Sequence, residues 1–387
     1  MLKVGLIADD LTGAFDAAAP FARRGLATRV VCRADALATA LEHPCDVLAV
    51  NTASRHIDGA AAAERVARAC RALASWNPAL LFKKIDSTLR GNVVAEITAA
   101  MTASGRGEAV VTPAMPAQGR TVRGGAVFVN GVPLAETSFA HDQLSAPARQ
   151  PLARQFTDAG LRAAVVGGDG PVGDAQVWIA DCADEAELGR IAGWALARAE
   201  NAVMAGAAGL AEALAGEAFG PPRPLALDIP LGGIVTVVGS RAPVSREQAR
   251  LLAERDADCV VLDAEAGAID VGGAARALRS GVARLLIRVP EFPEAAPDQV
   301  AAALGRGVAA LLEAAPVGAV VVTGGDTAAA LLDAIGQPVV DLVGQLQPGI
   351  PLSLVTHGEA RFALITKAGG FGGETLFLDI PGLLRRR

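Results

Sequence analysis

Short apolar runs alternate with Ala-, Arg- and Glu-rich stretches along the chain, and no other feature restricts its fold as strongly. "KVGLIA", "ATRVVC", "DVLAVN", "ALLFKKID" and "EAVVTPA" are strand-like, and helix-like segments separate them. Such alternation indicates βαβ units and a mainly parallel sheet. After Ala109 the pattern loosens, and "VNG" between "AVF" and "VPL" predicts a protruding hairpin. The Pro- and Gly-dense stretch from Phe219 to Gly233 predicts a linker. Beyond it "GIVTVVGS", "DCVVLDA", "RLLIRVP", "GAVVVTGGDT", "LSLVTHG" and "FALITKAGGFGG" supply a second set of strands. With 387 residues the chain exceeds one ordinary core, so two α/β domains are expected, over 1–222 and 231–387.

Composition limits the partners. Aromatic residues make up 4% and Tyr is absent, which leaves few platforms for stacking nucleic-acid bases. A net charge of -6 argues against nucleic acid and anionic membranes, so any phosphate site must be local. The cysteines, Cys32, Cys45, Cys70, Cys182 and Cys259, show no paired spacing for zinc or a disulfide framework. Charged residues Asp9 and Asp10 arrive too early for a signal peptide, and no uncharged apolar run is long enough for a bilayer. A soluble, cytoplasmic protein is expected.

Polar residues gather where strands end. In "KVGLIADDLTGAFDAA" a strand delivers Asp9 and Asp10 into a Thr12-Gly13 turn and a helix, at the sheet edge where open α/β folds bind ligands. "LLFKKIDSTLRGNV" delivers Lys83, Lys84, Asp86, Ser87, Thr88, Arg90 and Asn92 within a few residues. That mixture suits a small polyhydroxy acid, with Arg or Lys for the carboxylate and Asp for hydroxyls, although a capped surface loop has the same residue types. Arg55 in "NTASRH" is a second carboxylate ligand or a surface arginine. "GRTVRGG" places Arg120 and Arg123 beside glycines, as an anion loop or a plain turn. In the second region Gly324 and Gly325 precede a helix whose first turn carries Asp326 and Thr327, and Lys367 precedes a glycine-rich turn with Gly369 and Gly370. Exposed amides at a helix start, glycine and lysine together make anion sites. No P-loop, dinucleotide fingerprint or protein-kinase motif set is present.

Taken in order, "IADDLTGAFDAA", "KKIDSTLRGN", "TPAMPAQGRTVRGGAVFVNGVPLAETSFAHD", "VGSRAPVSREQ", "TGGDTAAAL", "PGIPLS" and "ITKAGGFGG" resemble the four-carbon acid sugar kinases over nearly the whole chain. The resemblance implies ATP-dependent phosphorylation of the terminal hydroxyl of threonate, erythronate or a 3-oxo-tetronate, with Mg²⁺ bridging the phosphates. It also implies an N-terminal acid-sugar domain and a C-terminal nucleotide domain, both α/β with mainly parallel sheets, facing each other across a cleft. Carried onto this chain, Asp9, Thr12, Arg55, Lys84 and Arg90 would bind the acid sugar. Ser240, Gly324, Gly325, Asp326, Thr327, Lys367, Gly369 and Gly370 would bind the nucleotide. Asp86, or else Asp10, would take the hydroxyl proton, and no metal ligand is assigned. The sequence leaves open a homo-oligomer, a non-catalytic metabolite sensor and a sugar-acid dehydrogenase.

Overall fold

The computed structural model describes residues 3–141, 146–225, 232–290 and 295–385, and the chain divides into two compact units, Met1–Pro222 and Arg223–Arg387. Residues 226–231 of the expected linker, including the expected start of the second domain, lie outside the described residues, as does Asp142.

In the first unit β1 (Val4–Ala8), α1 (Leu11–Ala22), β2 (Thr28–Val31), α2 (Leu37–Leu41), β3 (Val47–Asn51), α3 (Gly59–Ala74), β4 (Leu80–Lys84), α4 (Val93–Ser104) and β5 (Glu108–Thr112) alternate. The small sheet β6 (Arg120–Arg123), β7 (Ala126–Val129) and β8 (Val132–Pro133) follows, then α5 (Leu152–Asp158), β9 (Ala163–Val166), β10 (Val177–Ala180), α6 (Glu185–Leu196), β11 (Ala202–Gly206) and α7 (Ala208–Phe219). The main strands lie in the order β2-β3-β1-β4-β11-β5-β10-β9, and every pairing among them is parallel. All their C-termini therefore emerge at one edge. The hairpin signal is realised between β7 and β8, where Asn130 and Gly131 take φ of 51° and 81°, as a two-residue primed turn requires.

Alanine explains why α1 is buried on every side: Ala14, Ala17, Ala18 and Ala19 let its backbone approach the neighbouring elements, while Phe15 and Phe21 fill the remaining gaps. Arg24 closes this packing by donating to Pro20 O, Gly220 O and Glu212 Oε1, which ties the end of α7 to the end of α1.

The second unit runs β12 (Gly233–Val238), α8 (Pro243–Arg255), β13 (Cys259–Asp263), α9 (Val271–Arg279), β14 (Arg284–Arg288), α10 (Pro297–Ala314), β15 (Val317–Thr323), α11 (Gly325–Ala334), β16 (Val339–Gln347), β17 (Ile350–His357), β18 (Ala360–Lys367) and α12 (Leu376–Arg385). Its strand order is β13-β14-β12-β15-β18-β17-β16. The first five strands are parallel, whereas β16, β17 and β18 form an antiparallel meander. The β16 sequence "VVDLVGQLQ" is interrupted by Asp341, Gly344 and Gln345, so its hydrophobic pattern does not mark a strand. Its pairing with β17 carries register shifts in the same region. Among the described residues no helix is long and apolar enough to cross a membrane.

Candidate functional site

The C-terminal ends of β1, β3 and β4 bring together one charged cluster. Asp9 follows β1 directly, and Asp10 is the N-cap of α1: its Oδ1 accepts from Gly13 N at 2.9 Å and its Oδ2 from Thr12 Oγ1 at 2.8 Å. Gly13 is required here, because a Cβ would lie 2.4 Å from Asp10 Oδ1 and 3.3 Å from Lys84 Cγ. Arg55, from the loop after β3, forks onto Asp9 with Nε–Oδ2 2.7 Å and Nη2–Oδ1 3.0 Å, and its Nη1 donates to Asp10 Oδ2 at 2.8 Å. Arg90 forks onto Asp86 in the same way, at 3.0 and 2.9 Å. Thr88 adds a backbone N–H at 3.0 Å and a short hydroxyl bond to Asp86 Oδ2. Arg55 Nη2 also lies 4.0 Å from Asp86 Oδ1, which links the two forks.

These partners set the charges. Burial opposes the ionised form of Asp86, but hydrogen bonds from Arg90 and Thr88 and the charges of Arg55 and Arg90 hold the carboxyl well below the usual range. Asp9 is likewise lowered against its burial, by Arg55 first and then by Lys83 and Lys84. Arg55 is buried, which disfavours its charge, yet Asp10, Asp9 and Asp86 raise it well above its ordinary value. The backbone is strained beside both forks: Ala53 and Leu89, non-glycine residues with φ of 47° and 58°, stand two residues and one residue before Arg55 and Arg90. Each such conformation costs on the order of 1 kcal/mol and persists only where its surroundings enforce it.

Two lysines end β4 with different fates. Lys83 is fully buried in an ion pair with Glu96 at 2.8 Å, and Glu96 also accepts from Ser54 Oγ, beneath the loop that carries Arg55. Lys84 donates to Ile85 O at 2.8 Å and packs against Gly13; among the described residues no carboxylate pairs with it. Asp16, one helical turn beyond Gly13 on α1, is buried with Oδ1 unpartnered, and desolvation pushes its carboxyl up to about 6. Glu96, Ser54 and Asp16 were not among the sequence candidates. In sequence Glu96 is an ordinary first-turn acid and Asp16 one polar residue in an alanine-rich helix, so only Ser54, beside Arg55, carried a local signal.

In the second unit the ends of β12, β15 and β18, adjacent and parallel, gather the glycine loops. Gly324, with φ of 94°, caps α11 and donates its N–H to Lys367 O. A Cβ on Gly369 would lie 2.2 Å from Ser240 Oγ, and one on Gly239 would lie 2.2 Å from Thr327 Oγ1. Ser240, Gly324, Thr327 and Gly369 therefore share one small surface, next to the free amides that open α11. Gly325 and Asp326 lie in the first turn of α11, with Asp326 exposed, and Gly370 has open space where its Cβ would point. Lys367 is placed differently from a phosphate ligand at the surface. Its Nζ is buried and donates to Ser245 Oγ at 2.8 Å and Gly369 O at 3.1 Å, and desolvation brings its pKa down to about 7. Ser245 Oγ donates in turn to Gly369 O, and Gln248 Nε2 donates to the carbonyls of Phe371, Gly372 and Gly373. The i,i+3 spacing of Ser245 and Gln248 on α8 was the available signal for this second pair of loop anchors.

Residues 4–214 match the sugar-binding N-terminal domain family and residues 235–377 the nucleotide-binding C-terminal domain family. A D-threonate kinase of Bordetella bronchiseptica is 34% identical, covering 99% of this chain and 98% of its own. A 3-oxo-tetronate kinase of Pseudomonas fluorescens is 30% identical, covering 98% and 97%. The crystal structure of a Haemophilus influenzae protein shares the fold with a TM-score of 0.73 at 22% identity, over 98% of this chain and 100% of that one. A Bordetella bronchiseptica protein crystallised with bound citrate as a domain-swapped dimer is 33% identical, with a TM-score of 0.50 over 99% of both chains. With both domain families matched in order and full-length relatives at this identity, the chain belongs to the four-carbon acid sugar kinase family.

Proposed function

We propose that this protein transfers the γ-phosphoryl group of ATP to the terminal hydroxyl of a four-carbon acid sugar, D-threonate first among them. The N-terminal unit binds the acid and the C-terminal unit binds ATP. The observation that carries this reading is the pair of arginine forks at the ends of β1, β3 and β4. They hold Asp9 and Asp86 ionised and fix Asp9, Asp10 and Asp86 in place, with lone pairs left for the hydroxyls of a small polyol. Lys84 and the N-terminus of α1 add positive potential for a bound anion. The relatives named D-threonate kinase favour that acid.

In-line phosphoryl transfer asks the protein mainly for positioning and charge neutralisation. Asp10 is the better proton acceptor of the two candidates, because Asp86, held so far below the usual carboxylate range, is a weak base. Asp86 then orients a hydroxyl. On the nucleotide side the amides of Gly325, Asp326 and Thr327 and the Ser240 hydroxyl face the phosphates, while Lys367 shapes the 367–373 loop from below. Mg²⁺ is commonly held by one or two carboxylates with phosphate oxygens and waters. Asp326, exposed and without a protein partner among the described residues, fits that demand, and no cluster of three metal-ligating side chains occurs among them. When bound, Mg²⁺ supplies neutralisation of phosphate charge.

The test is a coupled ADP-release assay on the purified protein with D-threonate, D-erythronate and a 3-oxo-tetronate, the product being identified by mass. Acid-dependent ADP release yielding a monophosphorylated acid is expected. ADP release that no acid changes would overturn the reading.

A further inference from the structure

The cations that the sequence assigns to the substrate carboxylate are largely committed elsewhere. Arg55 is spent on Asp9 and Asp10, and Arg90 on Asp86. Lys84 remains, but it is a point charge packed against Gly13 rather than a planar clamp. A third guanidinium reaches the same sheet edge. Arg120 opens β6, in the segment that follows the C-terminus of β5, and the Met115–Arg120 bridge fixes its position.

The small sheet that carries it is anchored at two further points. Val122 pairs with Cys182, just beyond β10, and both carboxylate oxygens of Asp181 accept from the amides of Gly124 and Gly125, at 2.7 and 2.8 Å. Arg120 is half-buried. Its guanidinium lies over the Phe139 ring at 5.9 Å, Nη1 donates to Gln118 O, and Nε is buried with no hydrogen-bond partner. Among the described residues no carboxylate pairs with it, although it is close enough to Asp86 and Arg90 to feel both charges. A guanidinium over a ring face carries its N–H donors in its own plane, where they suit a bidentate carboxylate. Arg123, three residues along the same strand, points to the other face and is exposed, so it serves as an internal control.

We infer that Arg120 binds the carboxylate of the acid sugar and is the residue that selects an acid at this site. The incoming carboxylate satisfies the orphaned Nε and supplies the counter-charge that Arg55 and Arg90 already have. This rests on the acid-sugar kinase reading above and assigns one residue within it.

The experiment measures KM for D-threonate and for ATP, and D-threonate affinity by calorimetry, in wild type and in Arg120→Met, Arg120→Gln, Arg120→Lys and Arg123→Met. Losing one half of a charged pair predicts a rise in D-threonate KM and Kd on the order of 100-fold for Arg120→Met and Arg120→Gln. ATP KM should stay within about 2-fold, as expected for a side chain in the other half-site. Arg120→Lys, which keeps the charge, should recover part of the loss, and Arg123→Met should match wild type. An unchanged D-threonate KM in Arg120→Met, or equal defects in the Lys and Gln variants, would overturn the assignment. If Arg120→Met does not fold, the Lys and Gln pair decides alone. Wild-type protein that neither binds nor phosphorylates any four-carbon acid would instead sink the kinase reading itself.

Discussion

The two units build their proposed binding sites from different materials. The first uses side chains: Arg90 forks onto Asp86 within the loop after β4, while Arg55 crosses from the end of β3 to Asp9 and Asp10 at the end of β1. The second uses backbone: glycines let Ser240, Gly324 and Gly369 approach closely, and buried Lys367, Ser245 and Gln248 hold the loop carbonyls from beneath. A polyol acid has few groups, each needing its own partner, whereas phosphate oxygens accept any well-aimed N–H. Side-chain sites are sensitive to charge and backbone sites to shape.

That contrast can be broken most severely at Arg55. Arg55→Met strands two carboxylates beside each other, and losing one half of a buried pair costs about 3–5 kcal/mol, read as a fall in urea midpoint. A loss under 1 kcal/mol would mean that water already screens the cluster. Next in size, Asp10→Asn is expected to lower kcat by roughly 10²-fold or more, while Asp86→Asn chiefly raises the acid KM; the reverse pattern would return the proton-acceptor role to Asp86. In the other unit Gly369→Ala tests shape. Its Cβ would sit 2.2 Å from Ser240 Oγ and 2.9 Å from Ala242 Cβ, so ATP KM should rise about 10- to 100-fold with acid KM unchanged. Equal changes in both constants would show that the loop serves both substrates.

The smallest effects sharpen the comparison through pH. Asp16 has its pKa raised to about 6 in the fold, so the unfolded chain binds fewer protons between the ordinary value of 3.8 and 6, and stability is lost as pH rises through that window. Asp16→Asn should therefore be more stable than wild type at pH 7.5, by roughly 1–3 kcal/mol, and close to it at pH 3.5. Lys367 is lowered from 10.5 to about 7, so the unfolded chain binds more protons between those values and stability rises with pH there. Lys367→Met should flatten that rise. Parallel pH slopes in variant and wild type would remove the buried amine as its cause.

Local chemistry made the elements legible. The length of the apolar runs, the Asp10-Thr12-Gly13 start of α1, the Asn130-Gly131 turn and the Gly324-Gly325 start of α11 each act within a few residues of chain, and the sequence by itself determined them. It also pointed to the carboxylates and arginines that the structure gathers into the charged cluster of the first unit, since a strand end is a local event. Only tertiary structure decided which charge neutralises which. Arg55 meets Asp9 and Asp10 because β3 pairs with β1 in a register that sets Asn51 beside Ala8, and no spacing along the chain encodes a contact across 45 residues. The same holds for Lys367, which reads as a phosphate ligand until α8 places Ser245 over it, and for β16, whose broken pattern forms a strand because β17 turns back to pair with it. Charge pairing and burial act through space, so they are fixed by strand register and helix packing, which link residues far apart in the chain.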